Sequence, residues 1–457
     1  MKKTIAALAV AGTLALGACE FDITDPNSPS PIGPNATRAE VDAASVGLLI
    51  ALRADVANWV LKAAVLGREG YRLDTADPRF VSELLQGPLD ASNNAFGGGQ
   101  WQPEFRTITR GYDILNVIGS AQVSAAEQAA VSGFVETIQA LSFLTVLNAH
   151  TQDSIPIDVN RTIDEPLAPF VTNNAAYLRV LSLLDSAQTH LLAGGASFPF
   201  NPGPGFTGLN TPALFLQFNR ALAARVQAYR ASPNAPGVNC TACWDTVITA
   251  VQQSFMDTTA SLDFGAYNVF STGNQDAPNP LSQNPASAVN VVHPFVRDSV
   301  ELQAGGSPFQ DKRYLSKVTA RGTPLTLSGH TSDLSWIRYP SPNSPIPIIR
   351  NEELILLWAE ARLGQGNLLE AARFINFIRR VSGGLDTIPN LGLQSAAAIR
   401  DQLLKQRLYS LLYEGGHRWI DMRRYGRLNQ IIVDRPAVDQ VFTTLPINSF
   451  EVDARQP

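Results

Sequence analysis

Four charged side chains near the C-terminal end have the spacing to meet one another. In "QRLYSLLYEGGHRWIDMRRYG", residues 406–426, they are Arg407, Glu414, Arg418 and Asp421. Projected at ~100° per residue, they border an apolar stripe of Leu404, Leu408, Leu411 and Leu412, continued by Trp419 and Met422. Glu414 to Arg418 is an i,i+4 step and Arg418 to Asp421 an i,i+3 step, the spacings at which helical side chains touch. Acid–base chemistry or glycoside hydrolysis needs a proton-holding carboxyl, or two carboxylates with room for substrate between them. A carboxylate matched to an arginine has a lowered pKa and makes a poor general acid. These residues are therefore expected to form a structural ion-pair ladder rather than a catalytic site. Gly415 and Gly416 would cost ~1 kcal/mol each in a helix interior, so they predict a close backbone approach or a break that the ion pairs staple.

Other chemistry is thinly represented. The loop acids Asp74, Asp77, Glu104 and Asp276 form no paired motif, and Gly-x-Ser-x-Gly, His-Glu-x-x-His and phosphate-binding glycine loops are absent from the sequence. The five histidines, at 150, 190, 293, 330 and 417, are scattered without ligand spacing, so no metal or other cofactor is expected. Cys240 and Cys243, in "NCTACW", have the spacing of a redox pair or of half a zinc site. With no second such pair in the chain, a local structural disulfide in an oxidising compartment is the expectation.

The third cysteine belongs to a leader. In "MKKTIAALAVAGTLALGAC" two lysines precede an uncharged run, Thr4 to Ala18, that stops at Cys19. The run is short of the ~20 apolar residues that span a bilayer, and its basic start and small-residue exit read as an export signal. The exit, Leu16-Gly17-Ala18-Cys19, resembles the lipobox of bacterial lipoproteins, which implies lipidation of Cys19 and stable membrane anchoring by several acyl chains. Residues 1–18 are thus expected to be a signal peptide. Residues 19–40, rich in Pro, Asn and Ser, are expected to be a flexible tether. A net charge of −5 over 457 residues points to neither nucleic acid nor an anionic surface, and 45% hydrophobic residues can bury a large core.

The elements that must position these residues are mostly helical. Apolar residues recur at helical spacing in 41–66, 125–148, 175–192, 212–231 and 351–380. The last segment, "NEELILLWAEARLGQGNLLEAARFINFIRR", breaks at Gly364 and Gly366 and carries Ala371 and Ala372 early in its second half. That is the hairpin logic of a tetratricopeptide unit, although no strict 34-residue period is visible. Residues 67–101 and 195–211 read as loops. Residues 264–348 are rich in Gly, Pro, Asn and Ser with little helical period, and predict a loop-rich subregion laid over a mainly α scaffold.

Two stretches together resemble a known family. "PIIRNEELILLWAEARLGQGNLLEAARFINFIRR" followed by "KQRLYSLLYEGGHRWIDMRRYG", about residues 346–426, is similar to the C-terminal signature of the SusD/RagB outer-membrane lipoproteins. Arg407, Glu414, Gly415, Arg418, Trp419, Asp421, Arg424 and Gly426 fill the places of that pattern; Gln406 and Ser410 depart from its usual glutamates. "GFVETIQALSFLTVLNAHTQDSIPIDV", "AAYLRVLSLLDSAQTHLL", "DKRY" and the closing "LPINSFEVDARQP" extend the likeness along the chain. It implies a single nutrient-binding domain over 41–457, built of degenerate tetratricopeptide-like hairpins with a loop-rich cap in a SusD-like α-α superhelix. It also implies a cell-surface lipoprotein of the outer membrane without catalysis. Such a protein would capture oligosaccharide or peptide for a partner TonB-dependent β-barrel transporter, of the SusC-like kind.

A glycan site needs flat aromatic faces with amides or hydroxyls beside them. Asn93, Asn94, Gln100 and Trp101 in one loop, and Trp336 and Tyr339 in another, are the candidate ligand-binding residues, since a loop at the same relative position carries ligand in the family. The alternative for Trp101 is that it starts the helix "PEFRTITRGYDILNVI" and packs on it. Two other functions stay open from sequence. A surface glycoside hydrolase would need paired loop acids, and a helical-repeat protein scaffold would need no small-molecule pocket.

Overall fold

The computed structural model describes residues 32–151, 155–162, 164–234, 240, 242–273 and 276–456. The expected signal peptide, Cys19 and most of the expected tether lie outside the described residues. The tether ends earlier than its composition suggests. Helix α1, Arg38–Arg53, is started by Thr37, whose side chain accepts from the Glu40 amide while Glu40 accepts from the Thr37 amide. This reciprocal cap satisfies two donors that a helix start leaves open, and Ala36 just before it is already buried.

The expected helix over 41–66 is two, α1 and α2, Val56–Leu66, parted at Ala54–Asp55. Then come α3, Gln102–Val117; α4, Ala125–Ala149; α5, Asn173–Ala193; α6, Pro212–Ala231; α7, Cys243–Gln252; α8, Asn351–Gly364; α9, Leu368–Val381; α10, Ala396–Ser410; and α11, His417–Arg424. Consecutive helices pack in pairs, α4 with α5, α6 with α7 and α8 with α9. These are the hairpins that the sequence pattern suggests. Helix α4 is long and apolar enough to cross a membrane, yet 89% of its most apolar window is buried inside the fold. Its burial is nearly all-round, as expected for the axis of a core rather than an amphipathic surface helix.

The hairpins close on aromatic and small residues. Phe134 of α4 meets Phe200 at 4.7 Å and Phe215 of α6 at 5.3 Å, with ring planes inclined as aromatic pairs prefer. Cys240 and Cys243 are joined as a disulfide at the start of α7. Beside it the Trp244 ring lies against Gly364 of α8, where any Cβ would overlap the indole. Among the described residues, the histidine, cysteine, aspartate and glutamate side chains form no cluster that could hold a metal ion.

Strands occupy the region expected to be irregular. A four-stranded antiparallel sheet runs in the order β1, Gly70–Arg72; β5, Asn290–Val292; β7, His330–Trp336; β6, Val318–Leu327. Ser328 and Gly329, both at positive φ, make the two-residue turn between β6 and β7, the turn whose twist suits a hairpin. Strand β2, Ile155–Pro156, pairs with β3, Phe170–Val171, and β4, Gly265–Asn268, pairs with β8, Ile346–Arg350.

The helical projection of 399–424 fails at its centre. Helix α10 stops at Ser410, Tyr413 sits at φ 60° and Gly416 at φ 77° before α11 begins. Gly416 is needed twice: its conformation is one that side chains rarely adopt, and a Cβ would overlap that of Ala63 on α2. The approach lets Trp419, fully buried, meet Trp59 of α2 at 6.3 Å.

Candidate functional site

A cleft of about 660 Å3 opens where four segments meet: the loop around Asn94, the start of α3, the 156–168 segment and the C-terminal turn 448–455. The loop is fixed from below. Lys62 of α2, wholly buried, points its ammonium at the Asn94 and Phe96 carbonyls, 3.4 Å from each. Burial pushes the Lys62 ammonium down to about 8, although Asp55 pulls the other way. From the side, Asn448 donates to Asn94 Oδ1 at 2.8 Å and to the Gly98 carbonyl at 3.1 Å, tying the C-terminal turn to the loop.

The cleft floor is aromatic. Trp101, only 5% exposed, packs on Phe105 at 5.0 Å, His150 at 5.2 Å and Phe170 at 6.2 Å. Its walls carry large apolar side chains left in solvent, Leu167 at 51% and Phe450 at 66% exposure. Three arginines line it. Arg161 donates to the Asp158 carbonyl and carboxylate, and Arg455 to Glu451 and the Ala168 carbonyl while covering the Phe170 ring at 4.1 Å. Arg106 makes no side-chain hydrogen bond or ion pair among the described residues, and is exposed on the same face of α3 as Phe105 and Gln102.

The two cleft carboxylates are engaged. Glu165 accepts from the Thr162 amide at 2.7 Å and Glu451 from Arg455 at 2.9 Å. The opposite face of α3 carries Glu104, read from sequence as a loop acid but buried in the first turn of the helix. Burial pushes its carboxyl up to about 8 and its Oε2 has no hydrogen-bond partner among the described residues, but it lies outside the cleft lining.

The six residues expected to bind ligand are dispersed. Asn94 and Trp101 line the cleft. Asn93 caps its own loop, accepting from the Ala95 amide at 2.9 Å, and Gln100 is fully buried against Asp55. Trp336 and Tyr339 are core residues, correcting their expected role. The Trp336 ring stacks on Tyr413 at 4.2 Å and 3°, and the Tyr339 hydroxyl donates to the Tyr413 carbonyl at 2.8 Å. The alternation of β7 turns Trp336 inward, so a polar-looking loop sequence conceals a buried edge. Phe105, Arg106, Leu167, Phe450 and Arg455 were missed. Phe105 and Arg106 sit in an ordinary amphipathic helix, and Leu167 and Phe450 lie in segments with no periodicity.

The charged motif lies elsewhere and is wired differently from the expected ladder. Arg407, fully buried, donates to Asp421 at 2.7 and 3.2 Å, and Asp421 also accepts from Arg424 at 2.9 Å. Glu414 does not pair with Arg418. It accepts from Arg350 at 2.9 Å, from Arg338 at 3.0 Å and lies 3.1 Å from Lys317. Burial opposes its charge, yet Arg350, Lys317 and Arg338 outweigh that and hold the carboxyl well below the usual carboxylate range. Arg418 donates instead to the Gly67 carbonyl at 2.9 Å and covers the Phe295 ring at 4.3 Å. The i,i+4 rung from Glu414 vanishes because the helix does not continue through 411–416, and within α11 Asp421 takes Arg424 as its i,i+3 partner while Arg418 turns to Gly67.

The comparisons agree with this architecture. Residues 316–448 match the sequence profile of the SusD family. No curated protein matches the chain by sequence. A SusD homolog from Bacteroides thetaiotaomicron VPI-5482 superposes with a TM-score of 0.67 at 13% identity, over 95% of this chain and 98% of that one. A SusD-like carbohydrate-binding protein from Bacteroides fragilis NCTC 9343 gives 0.67 at 14% identity, over 92% and 98%. NanU of B. fragilis gives 0.61 at 16%, over 94% and 98%. At these identities the likeness concerns the fold, a mainly α arrangement of tetratricopeptide-like hairpins with a strand- and loop-rich cap. Residues 316–448 thus carry the sequence signature of the SusD family, and the chain as a whole has the fold of SusD-like proteins.

Proposed function

We propose that this protein is a non-catalytic, surface-exposed outer-membrane lipoprotein that captures oligosaccharide or peptide in the cleft at Trp101 and passes it to a TonB-dependent transporter. The observation that carries the reading is the cleft itself. It has an aromatic floor at Trp101 and Phe105, exposed apolar walls at Leu167 and Phe450, and a guanidinium at Arg106 with no side-chain partner among the described residues. Flat apolar surface with a few placed polar groups is what a sugar ring or a peptide side chain requires. A carbohydrate is favoured because one structural neighbour is described as a carbohydrate-binding protein. Engaged carboxylates in the cleft support binding over hydrolysis.

The anchor and the partner rest on sequence. The lipobox-like end at Cys19 supports lipidation, the Pro- and Asn-rich stretch after it supports a stand-off tether, and the match of residues 316–448 to the SusD family supports the outer membrane and a SusC-like β-barrel partner. The test is to purify the tagged full-length lipoprotein from mildly solubilised outer membranes and identify what stays bound. A stoichiometric TonB-dependent β-barrel is the expected result. A protein that emerges alone, even after crosslinking in cells, overturns the transport reading.

A further inference from the structure

A second cavity, of about 420 Å3, lies between the short turn Lys312–Leu315, strand β8 and the end of α10, and shares no lining residue with the cleft. Five cations line it, Lys312, Arg313, Lys317, Arg338 and Arg350. The lining carboxylates are Asp263, Glu352 and Glu414. Asp311, just outside, takes up Arg313 with hydrogen bonds of 3.0 and 3.2 Å. Four cations then face three carboxylates, and the Asp263 side chain, 81% exposed, is largely screened by solvent. The cavity therefore keeps an excess of positive charge on walls that are otherwise buried, where uncompensated charge is costly.

Hydrogen-bonding capacity is unbalanced in the same sense. Lys317 is satisfied by the Tyr409 and Ser410 carbonyls at 3.0 and 2.7 Å and by Glu414, and Arg350 by Glu414, Glu352 and Asp263. These two residues form a fixed, saturated wall. Lys312 makes no side-chain hydrogen bond or ion pair among the described residues, and Arg338 uses only its Nε, on Glu414 at 3.0 Å. An exposed ammonium at the rim and two Nη groups farther in are thus open to the cavity.

We propose that this cavity binds a small oxyanion, phosphate or the carboxylate of a sugar acid, between the Lys312 ammonium and the Arg338 guanidinium. A planar guanidinium with open Nη groups suits two oxygens of one anion, and a flexible ammonium at the mouth can close on a third. The site is separate from the cleft, so its occupancy and the cleft's are measured independently.

The test is thermal denaturation and titration calorimetry of the full chain with inorganic phosphate in one arm and glucuronate in the other, at constant ionic strength set with chloride. Saturable stabilisation in either arm is expected, and which arm responds names the source of the anion. Lys312→Glu, a rim change that breaks no side-chain hydrogen bond or ion pair among the described residues, should weaken binding about tenfold or more, the scale of losing a charged hydrogen bond. Arg338→Gln, which leaves Glu414 its contacts to Arg350 and Lys317, should do likewise. Stabilisation no greater than chloride gives, or saturable binding indifferent to both variants, overturns the proposal.

Discussion

Two buried glutamates, Glu104 beneath the cleft and Glu414 in the charged layer, are treated in opposite ways by the same fold. Both have almost no exposure. Burial alone raises a carboxyl's pKa because it disfavours the charged form, and Glu104 follows that rule up to about 8. Glu414 defies it because Arg350, Arg338 and Lys317 surround it. The Glu414 carboxylate is held charged by partners that the chain itself supplies, while Arg338 beside it keeps its Nη groups open. The region under the cleft holds polar groups whose partners are incomplete, among them Glu104 Oε2 and Gln100 Oε1. The two carboxyls differ because one has three cations beside it and the other has none to outweigh its burial.

The strongest way to break this comparison is to remove the carboxylate that three cations share. Glu414→Ala leaves Arg350, Lys317 and Arg338 buried without their common partner, and should cost about 3–5 kcal/mol of stability. Urea denaturation would measure it. A loss under about 1 kcal/mol would mean that the cations relax to solvent, and that the layer is not a fixed charge network.

The charged layer was legible in the sequence as a set of residues but not as a set of contacts. Arg407, Glu414, Arg418 and Asp421 announced themselves by sign and spacing, and only Arg407 and Asp421 pair with each other. The other partners, Arg350, Lys317 and Arg338, lie 64 or more residues away, and long-range pairing leaves no local periodicity to read. The α8–α9 hairpin was legible because apolar residues recur at helical spacing on either side of a glycine break, and α4, α5 and α6 as single helices, whereas α7, only ten residues long, was not. The four-stranded sheet was not: β6 alternates short polar residues on an exposed face, and β1 and β5 have three residues each. The cleft was half legible. Trp101 and Asn94 share a loop in the sequence, but Phe450 reaches them from nearly 350 residues on, through the Asn448–Asn94 hydrogen bond.

A second effect sharpens the contrast through pH. An acid whose folded pKa lies above its unfolded value of 4.5 keeps its proton in the folded chain after the unfolded chain has lost it. Stability contributed by neutral Glu104 is therefore full below about 4.5 and is lost as pH rises toward 8. Glu104→Gln stays neutral throughout. Relative to the parent it should be equal near pH 4.5 and gain on the order of 4 kcal/mol by pH 8. Paired denaturation curves at several pH values would check this. A difference that stays flat with pH would show that Glu104 ionises freely, and that the region under the cleft is wetter than its burial implies.

The smallest change in stability carries the most information about function. Trp101 cannot serve as the probe, because it is both floor of the cleft and part of the core, so its removal confounds folding with binding. Phe450 separates the two. It is two-thirds exposed, on a short turn held by backbone and Asn448 contacts that do not involve its ring. Phe450→Ala should therefore move stability by no more than about 0.5 kcal/mol. If the ring is a wall against a sugar or an apolar side chain, the same change should weaken binding of an oligosaccharide or peptide selected by screening roughly fivefold, about 1 kcal/mol. Calorimetric titration of parent and variant decides it, with Arg106→Ala as a polar counterpart on the opposite wall. Unchanged affinity in both would empty the cleft of its role, because no other exposed aromatic ring lines it among the described residues and the buried Trp336 and Tyr339 cannot replace it.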